Sequence, residues 1–196
     1  MKPLLVTFAV LLAGATPAHA AVTLRSGHAD YGARIVGGKL QSQVKTGSTW
    51  RDPSDVVIAL GSKARHTLPK RTFLGAKGTR VWMIPQTQRA GVIWLGWNTE
   101  SLTSRQLRTG VTWTLERASG PGRVAVFQTG SFGDADVLFD SGRSRPGSRT
   151  IALGTHAHGN WAFTRAGTYT MRLKMSATSR SGSSLSDTAT LTVRVR

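Results

Sequence analysis

Cysteine is absent from all 196 residues. That excludes disulfides, thiol catalysis and thiolate metal sites, so the fold must rest on packing and backbone pairing, and any metal would need His, Asp or Glu ligands. Carboxylates are scarce too: nine Asp and Glu stand against 26 Lys and Arg. Hydrolysis by paired carboxylates in a cleft has little to draw on, and neither a Gly-x-Ser-x-Gly elbow nor a His-Glu-x-x-His helix occurs. These absences argue against an enzyme, with one class left open: three protein ligands and a free position would also describe a catalytic zinc. Asp134 and Asp136 form an Asp-x-Asp in a glycine loop, but the further carboxylates and closing Glu of a calcium loop are missing, and a solvated turn is expected. Beyond residue 20 there is no run of about 20 apolar residues to hold the chain in a membrane. No ten-residue segment there has a convincing helical period.

The first twenty residues read as a secretory leader. Lys2 supplies the positive start, Leu4 to Leu12 the apolar stretch, and Ala18-His19-Ala20 a small-x-small cleavage pattern. A mature chain of residues 21–196 suits one exported, soluble domain. Losing Lys2 takes the net charge from +17 to +16. Such a surface favours polyanions, and an exported chain meets anionic cell-wall polymers more often than nucleic acid. The cations are scattered in ones and twos, so any retention should be weak, electrostatic and without sequence or sugar specificity.

Short β-branched and aromatic runs between Gly, Pro and Ser turns point to an all-β chain, an immunoglobulin-like or related antiparallel β-sandwich. Ile35 to Leu40 and Asp55 to Gly61 read as strands with a polar loop from Gln41 to Ser54 between them. Gly61 to Gly78 reads as an irregular connection, long enough to carry a function. Val81 to Pro85 and Val92 to Trp97 read as strands covered on both faces and joined as a hairpin. Val111 to Arg117 alternates with Val111, Trp113 and Leu115 inward, and Gly120-Pro121-Gly122 turns it into a second hairpin with Val124 to Phe127. Gly167 to Met175 and Thr188 to Val195 alternate as a closing hairpin, with Tyr169 as a corner tyrosine.

Two short segments concentrate the chemistry. In Gly154 to Phe163, His156 and His158 are one residue apart, and in an extended strand both project from the same face. They are either a pair of metal ligands or half-exposed residues that hydrogen-bond with Asn160 and Trp161. His28 and Asp30 repeat the spacing, in a piece that is either a strand or a loop. Together, His156 and His158 completed by His28 and Asp30 would suit a divalent metal, most plausibly zinc. His66 is a weaker candidate, because Arg65 and Lys70 oppose a cation there. Tyr31, Trp97 and Trp161 are expected to line a ligand pocket beside the site.

Gly27 to Tyr31, Val81 to Gln86, Trp94 to Glu100, Ser119 to Gly122 and Gly154 to Phe163, in that order, resemble the actinobacterial surface-anchored repeat domain, found in choice-of-anchor M domain proteins. The resemblance spans essentially the whole mature chain. It implies a β-rich extracellular domain found beside ABC transporter components of the metal-uptake type, with a substrate-binding protein of such a transporter as partner and no established catalytic residue. On this sequence the family's motif positions are His28, Asp30, His156, His158 and Trp161. The sequence ends at Arg196 without sortase motif or anchor helix, so a freely secreted or charge-retained form is expected. Two functions follow: a non-catalytic module that captures or relays a small ligand for an uptake system, or an envelope-binding or adhesion module whose histidines are structural.

Overall fold

In the computed structural model, which describes residues 20–196, alternation becomes strand almost everywhere. The leader expected over residues 1–20 lies, but for Ala20, outside the described residues. The strands are Val22–Leu24 (β1), His28–Val36 (β2), Lys39–Thr46 (β3), Thr49–Arg51 (β4), Val56–Leu60 (β5), Arg65–Thr67 (β6), Arg80–Ile84 (β7) and Trp94–Asn98 (β8). They continue with Val111–Ser119 (β9), Val124–Thr129 (β10), Ala135–Asp140 (β11), Ser148–Ile151 (β12), His156–His158 (β13), Asn160–Phe163 (β14), Gly167–Thr178 (β15) and Ser184–Val195 (β16). Helical structure among the described residues is confined to two 3-10 turns, Pro53–Asp55 and Ser62–Ala64.

The strands form three sheets around one core: β1-β5-β16-β15-β9-β12, β11-β10-β14-β7-β6 and β13-β8-β2-β3-β4. The expected all-β sandwich class is what the chain adopts. Pairing is mostly antiparallel, with β1 and β16 parallel to β5 and β2 parallel to β8. The closing hairpin is the longest ladder, in register from Gly167 opposite Val195 to Thr178 opposite Ser184. Its odd positions from Tyr169 to Met175 point into the core and the Thr, Arg and Lys between them face outward. The Tyr169 hydroxyl donates to the Arg165 carbonyl at 2.8 Å, the bond expected of a corner tyrosine.

Trp113 of β9 is the point where the sheets meet. Its indole stacks on Tyr31 from the third sheet at 5.5 Å, packs edge-on against Phe139 from the second at 4.7 Å, and lies 5.9 Å from both Trp97 and Trp161. The expected irregular connection from Gly61 to Gly78 holds a 3-10 turn and strand β6, and the second sheet is covered on its other face by a smaller cluster in which Leu68 and Leu74, after β6, pack on Val81, Ala125 and Ala162. This double cover explains the near-continuous apolarity of β7 and β14.

Several connections differ from expectation. Ile35 to Leu40 is not one strand, because Gly37 and Gly38, both at positive φ (54° and 76°), reverse the chain in a two-residue turn between β2 and β3. The polar stretch after it is strand β3 rather than loop, since Leu40, Ser42 and Val44 alternate inward while the backbone pairs with β2 and β4. The two expected mid-chain hairpins are crossovers between sheets. After β7, Pro85 ends the ladder and the Gln86 amide donates to the Asn160 side chain at 3.0 Å, sending the chain across to β8 in the third sheet. After β9, Gly120 passes the Tyr169 ring so closely that a Cβ there would lie 2.4 Å from Cδ1. The chain moves on to β10 in the second sheet, and β9 pairs with β15 and β12 instead.

Candidate metal centre

Strands β13, β8 and β2 lie side by side, and register decides what their outer face presents. Asp30 is opposite Gly96 on one side of β8, and His158 is opposite Gly96 on the other. The same ladders set His28 opposite Trp94 and His156 opposite Asn98. By alternation all these residues share one face, while Ala29, Tyr31, Leu95 and Trp97 take the other and enter the core. Gly96 is the empty square in the middle. A Cβ on it would sit 2.6 Å from Asp30 Oδ1 and 2.8 Å from His158 Cε1, so only glycine lets those side chains close over β8.

Four atoms converge there. His28 Nε2 lies 3.2 Å from His156 Nε2, 3.2 Å from His158 Nε2 and 3.3 Å from Asp30 Oδ1, and His156 Nε2 lies 3.2 Å from the same oxygen. All four atoms lie within 4.8 Å of one another, in a group of metal-ligating type. A tetrahedral zinc with bonds of ~2.0–2.1 Å requires ligand-to-ligand edges of about 3.3–3.4 Å. Four of the six edges of the group come close to that figure, and the edge from His158 to Asp30 is longer, inside the 4.8 Å that bounds the group.

A hydrogen-bond cluster explains the arrangement less well. Asp30 Oδ1 is buried and accepts no hydrogen bond, although two imidazole nitrogens lie within 3.3 Å of it, so the N–H directions of those rings miss the oxygen. A buried carboxylate oxygen without a donor demands an explanation, and a cation is one. Each neutral imidazole also carries a single hydrogen, so His28 Nε2 can donate to only one of its neighbours.

The surroundings prepare the ligands. His158 stacks on Trp94 with centroids 3.6 Å apart. Burial pushes its pKa down to about 4, with His28 and His156 adding to the fall and Asp30 opposing it, so the ring is neutral at neutral pH, the form that binds metal. Asn98, itself buried, donates to Asp30 Oδ2 at 3.4 Å and to Glu100 Oε2 at 2.6 Å. Glu100 Oε2 lies 3.8 Å from His156 Nδ1, a carboxylate placed behind a candidate ligand imidazole. His28 and His156 are each 35% exposed while Asp30 is 1% exposed, so solvent reaches the centre past the imidazoles and the carboxylate lies beneath them.

The structure thus brings together all four residues expected as ligands, and the N-terminal pair lies on a strand, not a loop. It does not bring the three aromatic residues with them. Tyr31, Trp97 and Trp161, expected to line a pocket, pack around Trp113 in the core, and parity points Tyr31 and Trp97 away from the face of the four candidate ligands; Trp97 also borders a cavity of about 230 Å³ with Thr155 and Ala157. Trp161, on β14, is tied to β8 by its Nε1–H, which donates to the Leu95 carbonyl at 3.1 Å. His66 lies on β6 in the second sheet and takes no part. Sequence reasoning missed Trp94, Gly96, Asn98 and Glu100 as parts of the centre. Their alternation was visible, but nothing local told that β8 would lie between the two ligand strands.

No family model, curated protein or solved structure matches this chain.

Proposed function

We propose that the protein is a secreted, non-catalytic module that binds one divalent metal ion through His28, Asp30, His156 and His158, with zinc the best fit. The observation that carries this is the buried, donorless Asp30 Oδ1 with His28 Nε2 and His156 Nε2 at 3.2–3.3 Å from it, and His158 Nε2 at 3.2 Å from His28 Nε2. Three imidazoles and a carboxylate suit zinc among the common divalent ions, since calcium and magnesium prefer oxygen-rich sets. Four protein ligands complete a tetrahedron and reserve no position for an activated water, which supports a binding role over a hydrolytic one. The leader pattern supports export. The resemblance of the motifs to the surface-anchored repeat domain supports a role in capturing metal or relaying it to an ABC uptake system through a substrate-binding protein.

The test is elemental analysis of protein purified without a metal-affinity tag, followed by zinc titration of the stripped protein. One equivalent of zinc, protons released on binding and a raised melting temperature are expected. No bound metal and an unchanged melting temperature would sink the reading.

A second reading, envelope polyanion binding, has its own observation. A cavity of about 380 Å³ is lined by Arg25, Lys63, Arg194 and Arg196 with no acidic side chain among its lining residues. Retention on an anionic polymer that disappears in molar salt would support it as a diffuse electrostatic contact.

A further inference from the structure

On the outer face of the second sheet, away from the metal ligands, the 68–75 segment arches over β7, β10 and β14 and leaves a cavity of about 520 Å³. That size falls within the ~300–1,000 Å³ of small-molecule sites. Its interior is apolar. Met83 and Phe127 form the floor, Leu68, Phe73 and Leu74 form the roof, and Phe73 meets Phe127 edge-on with ring centroids 5.1 Å apart. Asn160 and Thr129 are polar groups of the lining, joined by a hydrogen bond from the Asn160 amide to Thr129 Oγ1 at 3.0 Å, and His66 and Thr72 line it as well.

The rim is cationic. Lys70 and Arg71 both line the cavity, both are exposed, and neither takes part in an ion pair among the described residues. No Asp or Glu side chain is among the lining residues. Beside the mouth the Gly130–Asp134 turn carries Phe132, an aromatic ring 99% exposed, and Gly133 of that turn lies against the Lys70 ammonium group. An apolar interior and an exposed ring call for an apolar ligand body, and two unpaired cations at the entrance call for an anionic end.

We propose that this cavity is a second binding site, for a small single-chain amphipathic anion: an alkyl or aryl body held against Leu68, Met83 and the Phe73–Phe127 pair, and a carboxylate or phosphate head paired with Lys70 and Arg71. The site is separate from the metal centre and does not depend on it.

Isothermal titration of the full chain with sodium dodecanoate, dodecyl phosphate and dodecyltrimethylammonium, each below its micelle concentration, tests this. Dodecanoate or dodecyl phosphate should bind with one-to-one stoichiometry, and the head-group preference between them names the source. The cationic amphiphile should bind at least tenfold more weakly. K70E/R71E should weaken anion binding at least tenfold, whereas K39E/R105E, which changes the net charge equally at exposed positions elsewhere, should leave it unchanged. Ala135→Trp, which fills the cavity from an exposed position, should also weaken it at least tenfold with the cations intact. Equal binding of the cationic amphiphile, equal loss in both charge variants, or full binding by A135W would overturn the proposal. So would capture of phosphatidylglycerol vesicles with no binding of either free anion, which would make the face a membrane contact.

Discussion

The imidazole of His158 lies flat on the indole of Trp94, centroids 3.6 Å apart and planes 9° from parallel. Trp94 in turn is fixed by its own Nε1–H, which donates to the Gln86 carbonyl at 2.9 Å, and its ring also meets His28 at 5.4 Å. One indole therefore sets the direction of two of the three imidazoles. Removing it with Trp94→Ala leaves every ligand in place but frees those rings to rotate. Zinc affinity should fall by about 10–100-fold, as for other outer-shell losses, measured by competition with a chromophoric chelator. Affinity equal to the unsubstituted protein would show that the strands alone position the histidines.

Gly96→Ala asks a sharper question, because it adds one methyl group to a residue that ligates nothing. That methyl would lie 2.6 Å from both Asp30 Oδ1 and the Ala157 carbonyl, and the carbonyl is backbone that cannot swing aside. The strain should destabilise the stripped protein by about 1–3 kcal/mol. With Asp30 and His158 forced apart, zinc should also no longer raise the melting temperature. A variant that is less stable yet keeps the full zinc-dependent rise would mean that the four ligands close without Gly96.

How far the centre was legible follows from these two residues. His28 with Asp30 and His156 with His158 could be paired in advance because each duet obeys the two-residue period of a strand, which fixes a shared face without knowledge of neighbours. Trp94, Gly96 and Asn98 obey the same period. Their role depends on β8 being inserted between β2 and β13, a long-range pairing that no local pattern encodes. The same limit placed Tyr31, Trp97 and Trp161 in a pocket: Tyr31 and Trp161 stand a few residues from a histidine and Trp97 in an aromatic strand, and only the three-sheet arrangement puts Trp113 against them all.

A charge relationship far from the metal ligands should govern acid stability. Asp140 is fully buried; Arg123 Nε donates to its Oδ1 at 2.5 Å, Arg123 Nη2 to its Oδ2, and Arg143 Nε lies 3.2 Å from the same Oδ2. Burial alone would raise the carboxyl, but the Arg123 guanidinium, the Gly142 N–H and Arg143 together hold it below the usual carboxylate range. A depressed folded pKa stabilises above the unfolded value of ~3.9 and loses that contribution as pH falls through the folded value. Asp140→Asn should therefore cost about 3 kcal/mol at pH 7, where it breaks the ion pairs. The gap from the unsubstituted protein should narrow as pH is lowered from 5 to 2, read from melting temperatures. A gap independent of pH would remove the carboxylate's charge from the explanation.

The fold was most legible where strands alternate with their hairpin partner, as in β15 and β16. It was least so where a turn sequence serves something other than a hairpin. Ser119-Gly120-Pro121-Gly122 has the composition of a tight reversal, yet its glycines are there to let the backbone pass Tyr169, with Gly120 against the ring and a Cβ on Gly122 only 3.0 Å from the hydroxyl. Polar β3 was unreadable as a strand for a related reason. Its buried Ser42 takes the place of an apolar residue, and its backbone N–H donates to the Asp187 carboxylate at 2.6 Å, a tie from the third sheet to the first.

Tyr169 offers the last test, because its ring and its hydroxyl do separable things. The ring is fully buried, meets Phe163 at 5.0 Å and fills the space left by Gly120. The hydroxyl donates to the Arg165 carbonyl at 2.8 Å and accepts from the Arg165 N–H at 3.2 Å, closing the corner through which β14 of the second sheet leads into β15 of the first. Tyr169→Phe keeps the ring and removes only the corner bonds, so it should cost about 1 kcal/mol. For a chain of this size that is a fall of roughly 2–4 °C in melting temperature. Gly120→Ala attacks the other half: its methyl would lie 2.4 Å from Cδ1 of a ring that the hydroxyl bonds hold in place, and the expected loss is about 1–3 kcal/mol. Combined in one chain, the two losses should not simply add, because the phenyl ring freed from its hydroxyl anchor can tilt away from the new methyl. Denaturant midpoints of the two single variants and the double variant measure that coupling. Strict additivity would mean that the hydroxyl and the close glycine contact act independently.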